Sequence, residues 1–363
     1  MVYRAIGLMS GSSLDGLDIV FTELEDSGGK WKYEIKAANC YTYDEEWVQK
    51  LQNAPLLSAR DYMLLHAAYG RYTAGLVNMF IEEHNLYHRV QLIASHGHTV
   101  FHDPSHGIST QLGDGATIAA LTGINVVSDL RNIDVALGGQ GAPIVPIGEK
   151  LLFEGYDFFL NIGGIANLSY HNKDAVTAFD VCPANRILNT LAQKEGKAYD
   201  EDGKIAASGK IYTPLLTMLN RQDYYSKPYP KSLANEFGTQ TILPLVESFD
   251  LPTADALRTY TEHIAQQVAY AVNAVKKAGT EAKLLVTGGG AFNSFLVKRL
   301  QENLQSCNTL ATVADESTVK YKEALVMALY GILRWREENT VLSSVTGAMR
   351  NSIGGAVWIG QEA

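Results

Sequence analysis

Three glycine-rich turns, each placed directly after a strand-like apolar run, constrain this chain more than any other feature. They read GSSLDGLD at residues 11–18, NIGGIANLS at 161–169 and VTGGGAFNSFL at 286–296. A turn without side chains lets the main chain approach a ligand closely, and successive turn N–H groups form an anion-binding nest. In the first turn the hydroxyls of Ser12 and Ser13 can also donate to phosphate oxygens. No GKS or GKT accompanies it, so it is not a Walker A loop, and the G-x-G-x-x-G of a dinucleotide fingerprint is missing. The second turn breaks two apolar segments at Gly163-Gly164. The third passes from a strand through Gly288, Gly289 and Gly290 to a helix start near Asn293. Bare backbone there can receive a flat ring, and the first helical amides suit an anion or the polar edge of a base. Each turn also has a plain reading, as a hairpin for the first two and a tight strand-to-helix turn for the third.

Around these turns strand and helix signals alternate, the pattern of an α/β fold. Strand-like runs cover 3–9, 17–24, 31–43, 90–95 and 124–128, with helical spacing of apolar residues over 58–83 and 115–121. The pattern then restarts. Strands are expected at 157–162, 168–170, 177–180 and 283–287, and helices at 184–195, 203–208, 254–277, 292–304 and 322–336. Each half thus opens with strand, glycine turn, strand, strand and then helices. With 363 residues, this restart predicts two domains. The first would take 1–130 with the returning segment 345–363, and the second 131–344, with LGGQGAPIVP at 137–146 as a connection. One large α/β domain with a long active-site loop is the alternative.

Composition removes several function classes. The net charge is −9 and no Lys/Arg block occurs, which argues against nucleic-acid and anionic-membrane partners. An acidic chain must therefore bind a nucleotide locally, through backbone N–H groups, a metal ion and a few side chains. Cys40, Cys182 and Cys307 are odd in number, widely spaced and without a C-x-x-C, which fits neither a disulfide framework nor a zinc site. The N-terminal apolar run stops at Gly11, too short for a signal peptide, and no stretch approaches a membrane span. A cytoplasmic protein acting on a small molecule is expected. Oligomeric state stays open, a homodimer included.

Further motifs follow in order along the chain. They include SHGHTVFHDP at 95–104, QLGDGATIA at 111–119, SDLRNIDVALGGQGAPIVP at 128–146 and FDVCPANRILN at 179–189. YDEDGKIAASG at 199–209, EALVMAL at 323–329 and VTGA at 345–348 complete the series. Two phosphate turns on hairpins of successive domains, then a later adenosine turn, resemble the nucleotide site of actin, Hsp70 and hexokinase. Within that superfamily the motifs resemble the anhydro-N-acetylmuramic acid kinases from residue 7 to residue 348. The resemblance implies two ribonuclease-H-like domains of the actin-like ATPase type, with ATP and sugar in the cleft between them. It implies that ATP phosphorylates O6 of 1,6-anhydro-N-acetylmuramic acid while water opens the anhydro bridge, a step of cell-wall sugar recycling. Phosphates and Mg²⁺ would be held by Gly11, Ser12, Ser13, Leu14, Asp15, Gly16, Leu17 and Asp18, with Asn161, Gly163, Gly164 and Asn167 of the second turn. Gly288, Gly289, Gly290 and Asn293 would support the adenosine. His96, Gly97, Asp129, Arg131, Pro183, Asn185 and Glu323 would contact the sugar, and Asp180 would be the general base. A related kinase acting on another sugar hydroxyl, or a sensor that binds without turnover, are the alternatives.

The chain departs from the family pattern in places. GSS stands for the usual GTS, and His98 for the usual glutamine of HGQTV. DVCPAN at 180–185 stands for DTGPGN, and Asn189 for a common aspartate. Val181, Cys182 and Ala184 are therefore expected to alter loop shape and sugar contacts. Several residues keep two readings. Asp180 is a base or the cap of the helix that starts near Pro183. Asp15 orients a Mg²⁺ water or ties its turn as an Asx motif. His96, His98 and His102 have strand spacing but no clear acidic companion except Asp103, so structural or substrate roles are expected over a metal. Cys182 lacks a cationic partner and is expected to pack rather than react. Arg131 suits the lactyl carboxylate of a muramic acid by bidentate pairing, or a surface salt bridge.

Overall fold

The runs that flank the first two glycine turns pair into antiparallel hairpins, and each hairpin starts its own sheet. The computed structural model describes residues 1–11, 13–172, 176–229, 231–234, 236–277 and 279–361. Strands β1 (Val2–Ser10), β2 (Gly16–Ser27) and β3 (Lys30–Thr42) form an antiparallel meander. β4 (Leu92–Asp103) lies parallel to β1 on its free side, β5 (Ile108–Leu112) folds back on β4, and β6 (Val126–Ser128) runs parallel to β4. The second meander is β7 (Phe158–Ile162), β8 (Ile165–His171) and β9 (Val176–Pro183). β10 (Ala282–Thr287) then lies parallel to β7, and β11 (Thr309–Val313) parallel to β10. β12 (Ala356–Trp358) returns antiparallel to β6. The sheet orders are β12-β6-β4-β1-β2-β3 and β11-β10-β7-β8-β9. Without β5 and β12 the two are one topology: a meander extended beyond its first strand by two successive parallel strands.

The chain divides into two compact units, Met1–Glu154 with Tyr321–Ala363, and Gly155–Lys320. The boundaries expected at 130 and 345 both fall inside the first unit, and so does the segment 137–146 expected as a connection. The cause is local bonding. The fully buried Asp134 carboxylate accepts from Gly141 N–H and from Thr346 Oγ, each at 2.7 Å, which binds this segment to the VTGA motif. Glu149, on the helix Pro146–Leu152, forms a buried ion pair at 3.0 Å with Lys322 on the helix Glu316–Trp335. That last helix lies so close to β1 that a Cβ at Gly7 would collide with the Ala324 carbonyl oxygen.

Each unit has its own apolar core. In the first, Leu65, Tyr69, Val77 and Phe80 of the helix Ala59–Glu83 recur at helical spacing and pack on Ile6, Leu8, Ile19 and Ile93 of the sheet. Ser58 caps that helix by accepting from Asp61 N–H at 3.2 Å. In the second, Leu257, Tyr260, Ile264 and Val268 of the helix Thr253–Val275 pack with Phe158, Leu160, Leu284 and Val286. Among the described residues no helix is long and apolar enough to cross a membrane.

Candidate active site

In the first unit, the turn between β1 and β2 sorts its residues by chemistry. Leu17 is buried in the core and Leu14 packs against it, so the apolar members of residues 11–18 serve the fold. Gly16 begins β2 where a Cβ would stand 2.5 Å from the Tyr41 carbonyl oxygen, a close approach that β3 imposes. Leu14, not a glycine, takes the left-handed conformation, with φ 60°. At Gly11 a Cβ would meet only Ser13, with Oγ at 3.5 Å, an ordinary contact distance, so the fold does not demand glycine here. Ser13 Oγ donates to Asp15 Oδ1 at 2.7 Å, which ties the turn. Ser12 lies outside the described residues. Asp18 follows on β2, opposite Met9 and Cys40. Burial pushes its carboxyl up to about 6, with the Asp15 and Glu323 carboxylates adding to the shift against a hydrogen bond from Cys40. Three acidic groups thus share one electrostatic neighbourhood. Among the described residues no three His, Cys, Asp or Glu side chains converge as a metal-ligand set.

β4 continues through the HGHTVFHD segment, which was expected to lie beyond the strand, and this carries His96 and His98 into the sheet. His96 is buried. Its Nδ1–H donates to the Gly97 carbonyl oxygen at 2.8 Å, and its Nε2 accepts from Arg131 Nε and Nη2 at 3.0 and 2.8 Å. Burial, with the guanidinium beside it, pushes the imidazole down to about 3, so it is neutral. Arg131 Nη1 donates to the Gly141 carbonyl oxygen at 2.5 Å. Arg131 is therefore locked by His96 and a loop carbonyl rather than by a surface salt bridge, and among the described residues one N–H on each of Nη1 and Nη2 has no partner. Gly97 has φ 71°, and a Cβ there would collide with the Leu112 carbonyl oxygen, so β5 demands this glycine. Asp129 has φ 57° and accepts from Ser128 Oγ at 2.7 Å. His98 Nδ1 lies 2.9 Å from Ser10 Oγ, which accepts from Tyr43 OH at 2.8 Å, and Tyr43 OH in turn lies 2.5 Å from Tyr69 OH. Sequence reasoning saw none of this chain, because Ser10, Tyr43 and Tyr69 come from three separate segments. His102 Nδ1 lies 3.1 Å from Ser109 Oγ, so the three histidines have three different partners.

In the second unit, the β7–β8 turn and the exit of β10 stack on one another. A Cβ at Gly288 would lie 2.5 Å from Asn161 Oδ1, and one at Gly290 would collide with Ile162. Gly289 is exposed, with Asn185 Nδ2 at 3.6 Å as the nearest atom to its missing Cβ. Asn185 Nδ2 donates to the Ile162 carbonyl oxygen at 3.0 Å, so this side chain links the two turns. Asn293 accepts from Leu296 N–H at 2.9 Å and caps the helix Ser294–Leu304, which starts two residues later than expected. Gly163 and Gly164 differ from the packed glycines. No atom lies within 3.5 Å of a Cβ built on either, so packing does not demand glycine at these two positions. The helix Asn185–Gln193 anchors that turn, as Ala184 N–H donates to Gly164 O at 2.8 Å and Asn185 N–H to Gly163 O at 3.0 Å.

Asp180 lies on β9 beside Asn167 of β8. Asn167 Nδ2 donates to its Oδ1, and Leu233 N–H donates to its Oδ2 at 2.7 Å. Burial raises the carboxyl above its ordinary value, and these two bonds oppose the shift. Asp180 does not cap the following helix, whose N-cap is Ala184 with no side-chain bond. Val181, Cys182 and Ala184 are buried in the core, and Pro183 is buried with its carbonyl oxygen accepting from Tyr260 OH at 2.9 Å. The departures in DVCPAN are thus taken up by packing. These side chains face inward, so the loop shape is the route by which they would alter sugar contacts. Cys182 is fully buried, and burial holds its thiol well above its usual range, the environment of a packing residue rather than a nucleophile.

These arrangements can be set beside known proteins. A sequence model of the anhydro-N-acetylmuramic acid kinase family matches residues 3–360. An anhydro-N-acetylmuramic acid kinase of Aliivibrio fischeri is 33% identical, over 98% of this chain and 99% of its own length. One of Shewanella sediminis is 35% identical, over 97% of this chain and 98% of its own. Among solved structures, the activator of the 2-hydroxyisocaproyl-CoA dehydratase from Clostridium difficile with bound ADPNP aligns at TM-score 0.47 and 14% identity, covering 92% of this chain and 96% of that one. A ROK family glucokinase from Streptomyces griseus aligns at TM-score 0.43 and 12% identity, covering 91% of this chain and 99% of that one. On the family match and the end-to-end relatives, the chain belongs to the anhydro-N-acetylmuramic acid kinase family.

Proposed function

We propose that this sugar kinase uses ATP to convert 1,6-anhydro-N-acetylmuramic acid to N-acetylmuramic acid 6-phosphate, with water opening the anhydro bridge, as a step of cell-wall sugar recycling. The observation that carries the reading is Asp180. It is a partly buried carboxylate with both oxygens oriented, by Asn167 and by the Leu233 amide, and with a raised pKa. A general base works best when its pKa lies nearer the working pH, and the shift of Asp180 has that direction.

Phosphoryl transfer asks a protein mainly for positioning and charge neutralisation. The backbones at Gly11, Gly163 and Gly164 fit phosphate oxygens, since packing within the fold does not demand glycine at any of the three. Gly289, exposed above the Ile162–Asn185 link, fits the face of an adenine. Asp15, tied into the first turn by Ser13, is the carboxylate assigned to a water of the Mg²⁺ that accompanies the nucleotide. Bound there, Mg²⁺ would neutralise phosphate charge. Asp180 takes the proton of the water that attacks C1, and O6 receives the γ-phosphoryl group. Arg131, its uncommitted N–H groups held beside the neutral His96, suits the lactyl carboxylate. Asp129, with its backbone in the left-handed region, is assigned to the same sugar contacts. Each unit is read as a ribonuclease-H-like domain of the actin-like type, on the sheet order the two share. We place the enzyme in the cytoplasm, where ATP is at hand and free cysteines such as Cys40, Cys182 and Cys307 stay reduced. The test is incubation of the purified protein with ATP, Mg²⁺ and the anhydro sugar. Phosphosugar formation supports the reading, and ADP release without it removes the reading.

A further inference from the structure

We infer that Arg186 is a phosphate-contacting residue, whose guanidinium, laid against the Gly163-Gly164 turn, takes terminal phosphate oxygens of the bound nucleoside polyphosphate. The inference rests on the nucleotide reading above. Arg186 is the second residue of the helix Asn185–Gln193, whose start is bonded through backbone to Gly163 and Gly164. Its side chain folds back toward that turn. Nε and Nη2 lie 3.8 and 3.9 Å from the point where a Gly164 Cβ would stand. The side chain is exposed, and among the described residues no carboxylate lies within ion-pair distance of it. Nor does its helix supply a partner. The positions three and four residues on are the neutral Asn189 and Thr190, and Thr190 spends its hydroxyl on the Arg186 carbonyl oxygen at 2.8 Å. A chain of net charge −9 thus leaves an unneutralised guanidinium beside an open glycine turn. A planar fork of N–H donors there matches phosphate oxygens bidentately, and the missing side chains at Gly163 and Gly164 give the ligand its room.

Calorimetric titration with ADP and with adenosine, on the wild type, Arg186→Gln and Arg186→Lys, tests this. ADP affinity should fall roughly tenfold in Arg186→Gln, the order of one charge-assisted hydrogen bond, while adenosine affinity holds. Arg186→Lys should keep part of the difference as a point charge. The gap between wild type and Arg186→Gln should narrow as salt rises, which a purely structural role would not produce. Equal ADP affinity in wild type and Arg186→Gln, or equal losses for ADP and adenosine, would overturn the inference and leave the kinase reading standing. A wild type that binds neither ligand would sink both.

Discussion

At the scale of single residues, Asp180 and Asp18 are two acids raised for one reason, burial, and they give opposite kinds of prediction. Asp180→Asn is isosteric and keeps one of the bonds from Asn167 and Leu233, since its amide has a single acceptor oxygen, but it cannot accept a proton. Its kcat should fall by about 10²–10⁴-fold while ATP and sugar still bind. Steady-state kinetics with a thermal melt as folding control would show this, and near-normal turnover would remove the base assignment. The wild-type rate should also fall on the acid side at a pH above the usual carboxylate range, since the Asp180 pKa is raised. Asp18 bears on stability. Its folded pKa of about 6 exceeds the ordinary 3.8, so the folded state holds its proton more tightly than the unfolded state. Stability should therefore fall as pH rises from about 4 to about 6, and the loss persists at neutral pH. Asp18→Asn should flatten that slope and stabilise the ligand-free protein at pH 7 by about 1–2 kcal/mol, after allowance for partial solvent screening. Denaturant melts across the pH series would measure it. Residue identity alone left Asp180 undecided between cap and base. The choice needed the position of Asn167 and the Leu233 amide, which lies 53 residues away in sequence.

At the scale of elements, the turns were legible as turns but not by task. Glycine marks both a ligand-facing backbone and a backbone pressed against a neighbour, and only packing tells them apart. Gly16, Gly97, Gly288 and Gly290 are pressed against other chain segments, whereas Gly11, Gly163 and Gly164 are not. Gly11→Val and Gly163→Ala should therefore leave the melting temperature nearly unchanged and weaken ATP binding by about tenfold or more. Unaltered ATP titrations would remove these turns from the site. Gly7→Val should do the reverse. It forces β1 off the helix Glu316–Trp335, and overpacking of this kind costs about 1–3 kcal/mol or more in a denaturant melt. Among the strands, β5, β11 and β12 escaped the sequence because they are short and lack long apolar runs. The far end of β4 escaped because His, Gly and Asp are poor strand signals, yet pairing with β5 overrides them.

At the scale of the whole molecule, the restart of strand, turn, strand, strand is borne out as one sheet order used twice. Where each unit ends was not legible. The buried Glu149–Lys322 pair and the Asp134–Thr346 contact join segments distant in sequence, and no local pattern announces a long-range bond. What the assembled chain does to its sugar is written in the composition of the product. The purified enzyme would be given ATP, Mg²⁺ and 1,6-anhydro-N-acetylmuramic acid, and the product weighed by mass spectrometry. The expected product is the sugar with one phosphoryl group and one water added, formed about 10²–10⁴-fold more slowly when Asp180→Asn replaces the wild type. A product that has gained the phosphoryl group without the water, or ATP turnover with the sugar unchanged, would contradict the proposed reaction.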